Sequence, residues 1–220
     1  MAIRGESTGT NQILLDARFH AAAVSADSKT KHLGEPVKKG MTLLKTKRNV
    51  AEDHAEGRMD GLAVLIRGDV DLDEGVEDLE IDVYKAAGKD RNSSLYKGIF
   101  RMKLAKLLKL RGVAETSEVR ALLDRLKEKL PVLWKTHAPD LLVKCKTVDE
   151  LEAASHAADA TAGRFFGDEV VARKELVETL RKSEGALTVI YPGKRKRVRS
   201  YFRQTGRKGT KKKDGNGGTP

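Results

Sequence analysis

The sequence predicts a mainly α protein: an antiparallel helical bundle of about six helices, with a small C-terminal β-hairpin and a disordered basic tail. Three observations lead there. Apolar residues recur at the helical period in several stretches, aromatic residues are few, and 34% of the 220 residues are charged. With an apolar fraction of 39%, one Trp, four Tyr and five Phe, the interior must be built mainly from Leu, Val, Ala and Ile, which suits helices packed on helices.

Residues 1–36 read as one helix followed by a loop. Thr10 or Asn11 is placed to cap a helix carrying Ile13, Leu14, Ala17 and Ala21, and the Ser, Thr, Lys, Gly34 and Pro36 that follow belong to a connection. Residues 37–186 form the predicted bundle body. Its first helix starts near Val37 and reaches toward Met59, and Gly40, Gly57, Gly61, Gly68 and Gly75 weaken the pattern throughout this region, since an interior glycine costs about 1 kcal/mol relative to Ala. Leu62–Ile66 fits a short buried strand or a buried helical turn equally well. Leu72, Val76, Leu79 and Val83 then share one helical face.

Ser93 or Ser94 caps a predicted helix through Arg111, with Tyr96, Phe100, Leu104, Leu107 and Leu108 as its stripe and Gly112 as its end. Thr116 or Ser117 opens another, carrying Val119, Leu122, Leu123, Leu126 and Leu130 until Pro131 stops it. Thr147 to Glu150 matches a capping box, so a helix is expected to start there, to be interrupted near Ala160 to Gly163, and to be followed by a last helix closed by Gly185. In residues 187–203, two short apolar runs flank Pro192 and Gly193, which suggests the basic hairpin. Residues 204–220 are rich in Gly and Lys and are expected to be disordered.

Charge is distributed unevenly. From Lys194 onward there are eleven Lys and Arg against the single acid Asp214, so this segment carries +10 of the formal +11 and the rest of the chain is nearly neutral. Within the body, Asp69–Asp82 holds eight acids and no base, and Lys85–Arg111 holds nine bases against Asp90. Two helices joined near Gly88 would set these blocks against each other, at about 0 to 1 kcal/mol per exposed pair.

The basic arm is the clearest candidate site. Lys194, Arg195, Lys196, Arg197, Arg199, Arg203, Arg207, Lys208, Lys211, Lys212 and Lys213 neutralise phosphates and release counterions, giving affinity without sequence selectivity. Tyr201 and Phe202 offer rings for stacking on bases. A solvated tail, an acidic protein partner or an anionic polymer explains the same charges.

Other motifs are weaker. Asp69, Asp71, Asp73, Val76, Glu77 and Glu80 follow the spacing of a calcium loop, but Glu74 stands where that loop needs Gly, and acids near a helix N-terminus account for the same pattern. Glu52, Asp53, His54 and Glu56 form a polar cluster best read as a solvated face, and the five histidines are scattered. Cys145 lies between Lys144 and Lys146, a setting that can favour thiolate, but is read as a half-buried small residue. Trp134 reads as a core anchor.

These readings make the chain a non-enzymatic helical binding or structural protein that contacts nucleic acid or another polyanion through its arm, with no cofactor expected. The alternatives are a subunit of a particle, phage-like structure or filament that uses the arm between neighbours, and, behind it, an enzyme whose site is gathered from distant residues. A single cysteine precludes an internal disulfide, and the first apolar stretch is interrupted by Asp16, Arg18 and His20, so no membrane span and a cytoplasmic location are expected.

Overall fold

The computed structural model describes residues 8–204. The described chain is mainly α and contains no strand. Its elements run α1 (Thr10–Ser25), a 3₁₀ turn (Lys31–Leu33), α2 (Gly34–Ala86), α3 (Ser94–Ile99), α4 (Leu104–Leu107), α5 (Val113–Lys129), α6 (Pro131–Ile190) and α7 (Arg195–Ser200). No described helix is long and apolar enough to cross a membrane. The chain gathers into two compact units: a central unit, Ala51–Phe165, and a terminal unit made of residues up to Val50 and from Phe166 onward.

The core of the central unit forms as the apolar periodicity requires. Leu72, Val76, Leu79 and Val83 on α2 are fully buried against Val119, Leu122, Leu123 and Leu126 on α5 and Leu141, Cys145 and Val148 on α6. Within this unit α2 and α6 run antiparallel, as Gly68 faces Val148 and Leu151 while Gly75 faces Leu141 and Lys144. A Cβ on Gly75 would stand 2.9 Å from a Leu141 methyl, so the residue that weakens helix propensity is also what lets the neighbouring helix approach. Close packing thus accounts for the glycines at 68 and 75, and Leu62–Ile66 is helical.

The structure corrects several boundaries. The basic stretch Ser93–Arg111 is two short helices, because Phe100 leaves helical geometry at φ −88° and ψ 88°. The break lets Tyr96, Ile99, Phe100 and Leu107 all reach the core, and Arg125 Nε donates to the freed Ile99 carbonyl at 2.8 Å. Thr147 lies inside α6, where its hydroxyl donates to the Val143 carbonyl, so the capping-box pattern does not open a helix. Ala160–Gly163 and Gly185 do not interrupt α6 either. Pro131 separates α5 from α6 by serving as the first residue of the latter, where its missing N–H matters least.

In the terminal unit, Ile13, Ala17 and Ala21 on α1 pack with Val37 and Leu44 on α2 and with Ala172, Leu176, Val177 and Leu180 on α6. A second cluster, Val24, Leu187, Tyr191, Val198, Tyr201 and Phe202, closes its other end. This second cluster holds the residues expected to form a hairpin. Instead α6 continues to Ile190, Gly193 takes φ +74° to reverse the chain, and α7 follows.

Candidate polyanion-binding surface

Six of the eleven arm cations lie in the described residues, and the fold of Lys194–Arg203 decides what each can reach. One side of α7 is apolar: Val198 sits between the basic residues and is buried, as are Tyr201 and Phe202 immediately after the helix. The two rings expected to stack on bases are thus spent inside the protein, each only 6% exposed, which corrects their assignment to a ligand-facing role. Phe202 stacks on His20 of α1, with ring centroids 4.3 Å apart.

Polar contacts pin the same segment. His20 is fully buried, and its two ring nitrogens meet the Tyr201 carbonyl at 2.9 Å and the Ser183 hydroxyl at 2.7 Å. Asp27, in the turn after α1, accepts hydrogen bonds from the hydroxyls of Tyr191 and Tyr201 and from Arg197 Nη2 at 3.0 Å. Those donors, the tyrosine hydroxyls first, hold the Asp27 carboxyl well below the usual range. The Arg197 guanidinium also lies over the Tyr191 ring, 4.1 Å from its centroid. Arg203 is 3.6 Å from Asp16 on α1.

Arg197 and Arg203 therefore serve the fold. Lys194, Arg195, Lys196 and Arg199 are exposed, and among the described residues no ion pair engages them. Lys194, Arg195 and Arg199 line a shallow groove of about 450 Å³ that also carries the Thr188 hydroxyl and the Glu184 carboxylate. Lys194, which caps α7, and Arg195, Lys196 and Arg199 on it bring four positive charges together at this end of the terminal unit. Arg207, Lys208, Lys211, Lys212 and Lys213 lie outside the described residues, as does the predicted tail from residue 205 onward.

Burial lowers the His20 pKa from its ordinary 6.5, since the imidazolium would lose its water; the Tyr201 carbonyl offsets this in part. A lowered pKa means the unfolded chain binds more protons between the two values, so the docking of the C-terminal segment is stable above the ordinary histidine range and weakens as pH falls below it. Protection of Val198–Phe202, with exchange corrected for its intrinsic pH dependence, is expected to fall between pH 7 and pH 5 in the wild type. A His20→Gln chain should show no such change.

Asp69–Glu80 is continuous helix rather than a loop, so its carboxylates cannot wrap an ion in the manner of a calcium loop. His54 is stacked on Phe165 at 4.1 Å, which covers one face of the ring in the Glu52–Glu56 cluster. No group of three or more His, Cys, Asp or Glu among the described residues is arranged to hold a metal ion. Cys145 is fully buried rather than half-buried, and burial pushes its thiol up to about 11, away from reactivity. Trp134 packs against the central core with Lys127 over its ring.

Sequence reasoning found the cations but not the residues that sort them. Asp16, His20, Asp27 and Ser183 are scattered through the chain, and no local pattern marks them. Comparison of the chain with family models, with curated proteins and with solved structures finds no match.

Proposed function

We propose that this chain is a non-enzymatic helical binding protein, with its helices bundled in each unit, whose C-terminal basic segment contacts nucleic acid or another polyanion without sequence specificity. The observation that carries the reading is the division of labour in the arm: two cations secure α7 to the terminal unit, and Lys194, Arg195, Lys196 and Arg199 are left pointing to solvent beside a groove. A segment that is merely solubilising has no need of a folded base. Here Val198, Tyr201, Phe202 and Asp27 hold the four charges in one place before any partner arrives, which reduces the ordering cost of binding.

The test is binding of mixed-sequence DNA and RNA by the full chain and by a variant carrying Lys194→Gln, Arg195→Gln, Lys196→Gln and Arg199→Gln. Each phosphate that is no longer neutralised should reduce the slope of log affinity against log salt by about 0.9 on duplex DNA. All sequences should weaken alike.

A second reading, self-assembly, has one observation in its favour. Met59, Leu62, Ile66 and Val70 follow one another at helical spacing on α2 and are all exposed, Met59 to 59% and Ile66 to 56%. Light scattering over a range of concentrations separates the readings, because an assembly subunit gains mass as it is concentrated and a tethered monomer does not.

A further inference from the structure

In the central unit, an acid is buried where nothing donates to it. Glu115, in the first turn of α5, is 0% exposed, and no protein donor satisfies either of its carboxylate oxygens. Its polar neighbour on α2 is another acid, Asp73. One oxygen of Asp73 and one of Asp69 are likewise buried without a donor. The cation that reaches these acids is Arg111, which stands 3.5 Å from Asp73, 3.9 Å from Glu115 and 4.0 Å from Asp69, with its side chain 58% exposed. From α6, Glu152 faces the same corner by accepting the Val113 N–H at 2.9 Å. Asp149 is engaged with Thr116 and Arg120 of α5, and Cys145 lies alongside.

Three carboxylates and one half-exposed guanidinium cannot all remain ionised in this space. An unpaired buried carboxylate takes up a proton rather than bear the loss of hydration. A protonated Glu115 acquires the donor the site lacks, since its O–H can donate to Asp73. We propose that Glu115 and Asp73 share one proton, and that this proton latches the first turn of α5 onto α2. Raising the pH transfers the proton to hydroxide, giving water and leaving two facing carboxylates that push this corner apart. The latch lies in a different unit from the basic arm and does not rest on polyanion binding.

Burial, and then Asp73 itself, raise the Glu115 pKa to about 8, above the 4.5 of a free Glu side chain. Between those values the folded chain binds more protons than the unfolded one, so the stabilisation is complete below the free value and is lost as pH rises through the folded one. The Cys145 thiol, with its pKa near 11, remains neutral throughout this window.

The experiment is hydrogen exchange of the full chain at residues 113–119, with thermal melting alongside, at pH 6 and pH 9. It is run on the wild type, on Glu115→Gln and on Asp73→Asn, with exchange corrected for its intrinsic pH dependence. Protection of the first turn of α5 is expected to fall at least tenfold from pH 6 to pH 9 in the wild type and to change less than threefold in Glu115→Gln, whose amide donates to Asp73 at either pH. Asp73→Asn supplies the donor from the other side, and it decides the matter if the first variant does not fold. Equal pH dependence in the wild type and in a folded variant would overturn the proposal. So would stabilisation of the wild type at pH 7.5 by magnesium or calcium that Glu115→Gln abolishes, since that makes the carboxylates a cation site.

Discussion

Replacing Gly112 by Ala is expected to destabilise the central unit by about 2 to 4 kcal/mol, a large effect for one methyl group. Gly112 precedes α5 with φ 59° and ψ −136°, a conformation that L residues rarely adopt. A Cβ there would also stand 2.2 Å from Glu152 Oε1. Glu152 has a task, since its other oxygen accepts the Val113 N–H that α5 cannot satisfy internally. The alanine methyl would thus strain the backbone and displace the cap together. Urea denaturation checks the size of the effect, and a double-mutant cycle with Glu152→Ala separates its parts. Removing Glu152 should relieve the clash but leave the strain, so Gly112→Ala costs less in that background. A loss under about 0.5 kcal/mol would mean that the turn reorganises freely.

Ending the chain at Gly193 is expected to unfold the outer end of the terminal unit. The cut removes Val198, Tyr201 and Phe202, half of a six-residue buried cluster, and leaves Val24, Leu187 and Tyr191 uncovered. It also takes away the Tyr201 carbonyl that meets His20 and two of the donors to Asp27. Phe202→Ala alone should cost about 3 to 5 kcal/mol, as truncation of a buried Phe typically does. A chain ending at Gln204 keeps the whole cluster and should melt like the full chain. Loss of binding on cutting at Gly193 would therefore mix two causes, a missing charge and a missing core. The substitutions at Lys194, Arg195, Lys196 and Arg199 avoid this, because none of the four is buried.

The parts of the fold that follow from local pattern were legible in the sequence. Leu72, Val76, Leu79 and Val83 fall on one face by spacing alone, and all four are fully buried. The stripe from Val119 to Leu126 was equally clear, since a helix of that length must bury its apolar side. The mainly α class followed from such stretches.

What could not be read depended on partners far away in the chain. Gly68 and Gly75 of α2 argue against helix until Leu151 and Leu141 are seen filling the space they leave. The Pro192–Gly193 pair signals a turn, but whether a strand or a helix follows was decided by His20 and Asp27, more than 160 residues earlier. The short apolar runs on either side of Pro192–Gly193 looked like a hairpin, but Val198, Tyr201 and Phe202 also fit one side of a helical turn and its exit. The buried Glu115 gave no warning, as the helix was expected to open only at Thr116 or Ser117, whereas α5 begins at Val113 and takes Glu115 into its first turn. For the arm, counting cations marked a segment without showing which charges the fold itself consumes.

The most direct test of the polyanion reading is the affinity of the full chain, of a chain ending at Gln204 and of the four-Gln variant for mixed-sequence duplex DNA between 50 and 300 mM salt. The account predicts that the chain ending at Gln204 still binds, more weakly than the full chain. It predicts a slope of log affinity against log salt shallower by about 3 to 4 in the four-Gln variant than in the full chain, as expected when up to four phosphates are no longer neutralised. Equal slopes and equal affinities for the full chain and the four-Gln variant would contradict it, because the cations that α7 holds in place would then play no part in binding.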